Sequence, residues 1–211
     1  MKKLAVLVLL LVFLLSGCRG TSTPDANDSV NSENGTGTNF SDAFDTIYKQ
    51  DKNYTVYTDG FSFCYKVNDN NGDLLDVGYH DYRGSLDLYY QNNLLVLEYG
   101  NGGNLKGSKR YYDLENGRVS RFFDNTVAQS DTKVAYFTYF EDSNKTALIV
   151  QDIFDRADYY IEIEREFALG TELYYNTRAV FSEDGKKLEI KYPVKPQNGQ
   201  EEYQTEILEL S

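Results

Sequence analysis

Along much of the chain, apolar and polar side chains alternate with a period of two, the pattern of an extended strand with one face covered. Phe61, Phe63, Tyr65 and Val67 alternate with Ser62, Cys64 and Lys66, and Leu188, Ile190 and Tyr192 with Lys187, Glu189 and Lys191. Tyr159, Ile161 and Ile163 alternate with Tyr160, Glu162 and Glu164, which predicts a carboxylate-rich outer face. Leu94–Tyr99, and Val134–Phe140 apart from Thr138, are apolar on both faces and predict central strands covered on both sides. Turn residues separate these runs at Asn70-Asn71-Gly72-Asp73, Asn92-Asn93, Glu115-Asn116-Gly117 and Glu183-Asp184-Gly185. Short strands at such close spacing predict an all-β fold, either propeller-like antiparallel meanders or a β-sandwich or barrel. One short helix is expected over Ser41–Gln50, with Ser41 as cap and Phe44, Ile47 and Tyr48 at helical spacing.

A weak internal repeat orders the strands into three units, each an apolar strand, a loop and a second strand. The first two run from Leu94–Tyr99 to Arg110–Leu114, and from Val134–Tyr139 to Leu148–Ile153. The third runs from Phe181–Leu188 to Thr205–Leu210, and a possible earlier unit covers Phe61–Tyr79. Phe181, Ser182, Asp184, Gly185, Lys187 and Leu188 resemble the turn of TolB-type, WD40-like β-propeller repeats. That resemblance implies about three to four blade-like units, with Gly185 at a positive φ in a tight turn.

The N-terminus carries a different kind of signal. Lys2 and Lys3 precede an apolar run of 12 residues, Leu4 to Leu15. A membrane-spanning helix takes about 20 residues, so the run has the size of a signal-peptide core. Leu15-Ser16-Gly17-Cys18 resembles the lipobox of bacterial lipoproteins. The resemblance implies cleavage after Gly17, diacylglycerol on the Cys18 thiol, and attachment to the extracytoplasmic face of a membrane through lipid alone. Arg19 to Asn39 holds 17 Gly, Ser, Thr, Asn, Asp or Pro among 21 residues, and predicts a disordered tether. Such a coil spans about 25 Å. Residues 40–211 are then expected to form a single all-β domain, long enough to bury a core of its own.

Charge and rare residues narrow the chemistry. The chain has 33 Asp and Glu against 21 Lys and Arg, so clustered phosphate binding by nucleic-acid contacts is not expected. Without Lys2 and Lys3 the formal charge is −14, from 19 basic and 33 acidic residues, and an anionic membrane surface repels the domain. One His rules out a multi-histidine zinc site. With Cys18 acylated, Cys64 has no disulfide partner within the chain, and a core must stabilise the fold. Asn27, Asn34, Asn39, Asn53 and Asn144 begin Asn-x-Ser/Thr triplets, read here as turn residues.

Several segments approach catalytic patterns without completing them. Gly100 to Lys109 is Gly-rich but ends Gly107-Ser108-Lys109, whereas a phosphate loop ends Gly-Lys-Ser/Thr and opens a helix. It reads as a hairpin loop. Aligning Gly72 with the glycine of a calcium loop puts Val67 and Gly78 where carboxylates are needed. His80 and Asp81 are adjacent, so on a strand they point apart, and Ser85 lacks a nucleophile-elbow setting. The pairs Tyr89-Tyr90, Tyr111-Tyr112, Tyr159-Tyr160 and Tyr174-Tyr175 each predict one ring inward and one outward on a strand. The expectation is a monomeric, lipid-anchored binding or accessory protein with no cofactor or metal and no catalytic residue. Its ligand is a protein or glycan. The alternatives are a carboxylate-dependent glycan hydrolase, which needs two carboxylates roughly 5–10 Å apart, and a structural subunit of an envelope complex.

Overall fold

Connections of two to eight residues return each strand of a sheet against the one before it, so the chain builds its sheets as meanders. The computed structural model describes residues 44, 46–81, 84–100, 107–167, 170–194 and 202–210. The first sheet contains β1 (Thr46–Gln50), β2 (Tyr54–Thr58), β3 (Ser62–Asn68) and β4 (Leu74–Asp81). The second contains β5 (Leu86–Gln91), β6 (Leu94–Tyr99), β7 (Ser108–Asp113) and β8 (Arg118–Val119). The third contains β9 (Thr126–Gln129), β10 (Lys133–Phe140), β11 (Lys145–Asp152) and β12 (Tyr160–Glu164). A short helix, α1 (Thr171–Asn176), leads to the fourth sheet, β13 (Arg178–Phe181), β14 (Lys187–Val194) and β15 (Glu202–Glu209). Every ladder is antiparallel and joins strands consecutive in sequence. The fold is all-β and propeller-like: four separate sheets, rather than the two layers of a sandwich or one closed barrel.

Three apolar cores lie between successive sheets. Val56, Phe63, Tyr65 and Val67 meet Leu88, Leu95, Leu97 and Tyr112 between the first and second. Leu94, Val96 and Tyr111 meet Val134, Tyr136, Ala147 and Ile149 between the second and third. Ala135, Phe137, Leu148 and Val150 meet Leu188, Ile190 and Tyr192 between the third and fourth, where Leu173 of α1 adds to the core. Neighbouring residues of β6 and β10 therefore enter different cores, the physical reason both strands are apolar on both faces. Among the described residues no such core joins the fourth sheet to the first.

The four expected turns connect β3 to β4, β5 to β6, β7 to β8 and β13 to β14. Asn92 and Asn93 both have positive φ, 49° and 59°, the pairing a two-residue hairpin needs to match strand twist. Gly185 has φ 64°. Around it the Ser182 hydroxyl donates to Asp184 Oδ1 at 2.6 Å, and the Lys187 amide donates to Ser182 Oγ at 3.0 Å. Ser130 holds the β9–β10 turn in the same way, accepting from the Lys133 amide at 2.9 Å. The propeller-type turn thus has a shorter counterpart one sheet earlier.

Three expectations are corrected. The helix over Ser41–Gln50 is replaced, within its described part, by β1, because Thr46, Ile47, Lys49 and Gln50 pair their backbone with β2 at the sheet edge. A bulge between Ile47 and Lys49 lets Tyr48 set its ring edge-on to Phe63, at 5.2 Å. The unit at Phe61–Tyr79 holds the third and fourth strands of its sheet, whereas the later units hold the second and third. The Tyr-Tyr rule also fails. Tyr111 and Tyr112 are both buried, on either side of an inner sheet, and Tyr174-Tyr175 lies on α1 rather than on a strand. Residues 1–43, which include the expected signal peptide, Cys18 and the expected tether, lie outside the described residues.

Candidate functional site

Because consecutive strands run antiparallel, alternate turns emerge at the same end of the sheets. The turns at 51–53, 69–73, 92–93, 114–117 and 130–132 gather there, and Asn and Asp hold them in shape. Asp69 Oδ1 accepts from the amides of Asn71 and Asp73, each at 2.8 Å. Asp113 accepts from the Asn116 amide at 3.1 Å, the Asn116 side chain at 2.8 Å and Arg118 Nη2 at 2.7 Å.

Hydrogen bonds also run from one sheet's turns to the next. Within the first sheet Asn53 Nδ2 donates to the Asp69 carbonyl at 2.9 Å, and from there the Asn70 amide donates across to the Leu114 carbonyl of the second sheet at 3.0 Å. Asn92 Nδ2 reaches the Gln129 carbonyl at 3.2 Å, and the Tyr90 hydroxyl reaches Asn53 Oδ1 at 3.3 Å. Between these tied turns lies an open groove of about 460 Å³, lined by Asn53, Asn70, Tyr90, Asp113, Asn116 and Asp131.

The groove is built for polar recognition. Tyr90 is 50% exposed, so its ring offers a flat apolar surface beside amide donors and acceptors. Burial raises the Asp113 carboxyl, but the bonds from Asn116 and Arg118 outweigh burial and hold it below the usual range. Asp59, Asp69 and Asp184 are also held low, Asp59 by backbone amides and Asp184 by Ser182, while amides at Asp69 overcome its desolvation. Glycoside hydrolysis needs a carboxylic acid that stays protonated, hence one pushed upward. Among the described residues the four displaced carboxyls, Asp59, Asp69, Asp113 and Asp184, move the other way.

The residues singled out in sequence are dispersed. His80 lies on β4 with its ring 4.6 Å from that of Tyr99, and the Ser85 carbonyl accepts from the Gly100 amide where β5 and β6 close. Cys64 is buried on β3, and burial pushes its thiol up, the opposite of what a nucleophile needs. In the Gly-rich loop, Ser108 and Lys109 begin β7, where Ser108 donates to Asp124 and Lys109 pairs with Glu98 at 3.3 Å. A strand follows that loop, and 101–106 lie outside the described residues. No group of three or more His, Cys, Asp or Glu among the described residues could hold a metal ion. No described helix is long and apolar enough to cross a membrane. The groove itself was missed, although its signal is visible: Asn or Asp recurs in each turn at one end of the strand order.

No family model matches the sequence, and no curated protein matches it. Among solved structures the chain is similar to Kluyvelomyces marxianus Hsv2, with 11% identity and a TM-score of 0.26 over 77% of this chain and 72% of that one.

Proposed function

We propose that the protein is a lipid-anchored, extracytoplasmic binding protein that holds a neutral glycan in the groove at the turn end and leaves it chemically unchanged. The observation that carries this reading is the half-exposed Tyr90 ring beside Asn53, Asn70 and Asn116 in a groove of about 460 Å³. Sugars bind through hydroxyls that both donate and accept, which amides match, and through C–H faces that stack on aromatic rings. The ionised Asp113 disfavours an anionic ligand, and its low pKa removes it as a general acid. The anchor rests on Leu15-Ser16-Gly17-Cys18 and on the apolar run before it.

Two measurements test the reading. Titration of the purified full chain with neutral hexose oligomers, followed by tyrosine fluorescence, should show saturable binding that Tyr90→Ala weakens about tenfold or more. No binding, or new reducing ends released from the oligomer, overturns it, the second result in favour of a hydrolase. Mass spectrometry of the membrane-associated protein should find Cys18 acylated at the mature N-terminus. Cys18→Ala with unchanged membrane association removes the anchor.

A further inference from the structure

Arg110, Arg118 and Arg165 each hold a carboxylate, those of Asp76, Asp113 and Glu206. Arg121 and Arg156 make no ion pair among the described residues, although the chain carries a formal charge of −12. Aromatic rings hold them instead. The Arg121 guanidinium lies 4.3 Å from the Phe123 ring centre and 5.1 Å from that of Tyr136, and Arg156 lies 3.7 Å over Tyr160.

The supporting shell is built beneath them. Gln151, 3% exposed, accepts from Arg121 Nη2 at 3.2 Å and from the Tyr136 hydroxyl at 2.9 Å, and Arg121 Nη2 also reaches that hydroxyl at 2.6 Å. Register places Gln151 of β11 opposite Tyr160 of β12, with Tyr136 on β10, all on the face turned to the second sheet. The two tyrosines therefore stand on strands about 10 Å apart with the Gln151 amide between them, and each carries one guanidinium. Neighbouring Asp152 and Asp155 are engaged by backbone amides, Asp152 by those of Phe154 and Asp155 at 2.8 and 3.0 Å and Asp155 by that of Ala157 at 2.8 Å, and Glu162 by the Tyr160 hydroxyl at 3.3 Å.

We propose that Arg121 and Arg156, set by Tyr136, Gln151 and Tyr160, form a receptor for a phosphate-type oxyanion between the second and third sheets. A carboxylate is satisfied by one guanidinium fork. A tetrahedral phosphoryl group offers oxygens in several directions, which suits two guanidiniums from separate connecting segments, Arg121 between β8 and β9 and Arg156 between β11 and β12. Arg121 and Arg156 are both exposed, so the ligand enters from solvent or as a lipid headgroup.

Calorimetry on the detergent-purified full chain tests this, with inorganic phosphate in one arm and short-chain phosphatidylglycerol in the other. One-to-one binding of at least one probe is expected, weakened about tenfold by Arg121→Gln and by Arg156→Gln and less than twofold by Arg165→Gln. Binding of phosphate assigns the site to the free anion, and binding of phosphatidylglycerol alone assigns it to the headgroup. Binding of neither probe overturns the proposal. So does an Arg156→Gln variant that binds like the parent, or one no weaker than Arg165→Gln. Arg156 is exposed on a turn, so its variant keeps the test clear of any folding defect at Arg121.

Discussion

The second and third sheets differ from the first and fourth in how many faces they bury. On β6 the residues Leu94 to Leu97 are all buried, the even-numbered ones toward the third sheet and the odd-numbered ones toward the first. On β14, Leu188, Ile190 and Tyr192 are buried while Lys187, Glu189 and Lys191 face water. The outward face of the fourth sheet carries even Val180 and Ile207 at 61% and 62% exposure. The same secondary structure thus tolerates opposite compositions, and the number of packed faces decides which. A strand's pattern reports its layer before it reports anything else.

The largest effect that can break this comparison is expected at Phe137. It is 1% exposed, with its ring edge-on to Phe167 at 5.1 Å and 6.0 Å from Tyr174, so Phe137→Ala should cost about 3–5 kcal/mol in urea unfolding. A loss under about 1 kcal/mol would mean the third and fourth sheets do not share a packed core. Gly185→Val comes next, because a β-branched residue at φ 64° carries a strain of about 1–2 kcal/mol. No change in the urea midpoint would make the turn ordinary loop.

The turns also set a pH dependence. The folded pKa of Asp113 is lowered, so its contribution is present above the unfolded carboxyl value, near pH 4, and is lost as pH falls through the folded value. Asp113→Asn should therefore flatten the stability profile below about pH 4, as read by thermal melts across pH. An unchanged acid limb would mean that the bonds from Asn116 and Arg118 are not maintained in solution. The smallest effect is expected at the exposed end: Val180→Thr should shift stability by less than about 0.5 kcal/mol. A larger loss would show that something covers this face.

Much of the architecture was legible in the sequence because burial acts residue by residue on a strand. The doubly apolar runs marked the inner sheets, and Asn92-Asn93 and Asp184-Gly185 marked hairpins. Tyr48 misled because Phe44, Ile47 and Tyr48 fit a helical spacing, while edge pairing to β2 is a long-range term that no local window contains. α1 escaped because six residues give less than two turns of periodicity, and Leu173 is a fully buried anchor in it. The groove and the arginine site were illegible for a shared reason. Asn53, Tyr90 and Asn116 come from three separate hairpins, and Arg121, Tyr136 and Arg156 from three segments, so their meeting depends on sheet stacking.

The consecutive order of the strands bears on how the chain reaches this state. Each ladder closes across a short stretch of sequence, which keeps loop-closure entropy small for an all-β chain. Low contact order of this kind favours fast folding. A ring sealed by its two ends must wait for its last strand before its first is secured. Here the first sheet needs only the second beside it to bury its core, and the second only the third. Folding can therefore run along the chain in the order of synthesis, each completed sheet serving as the template on which the next condenses.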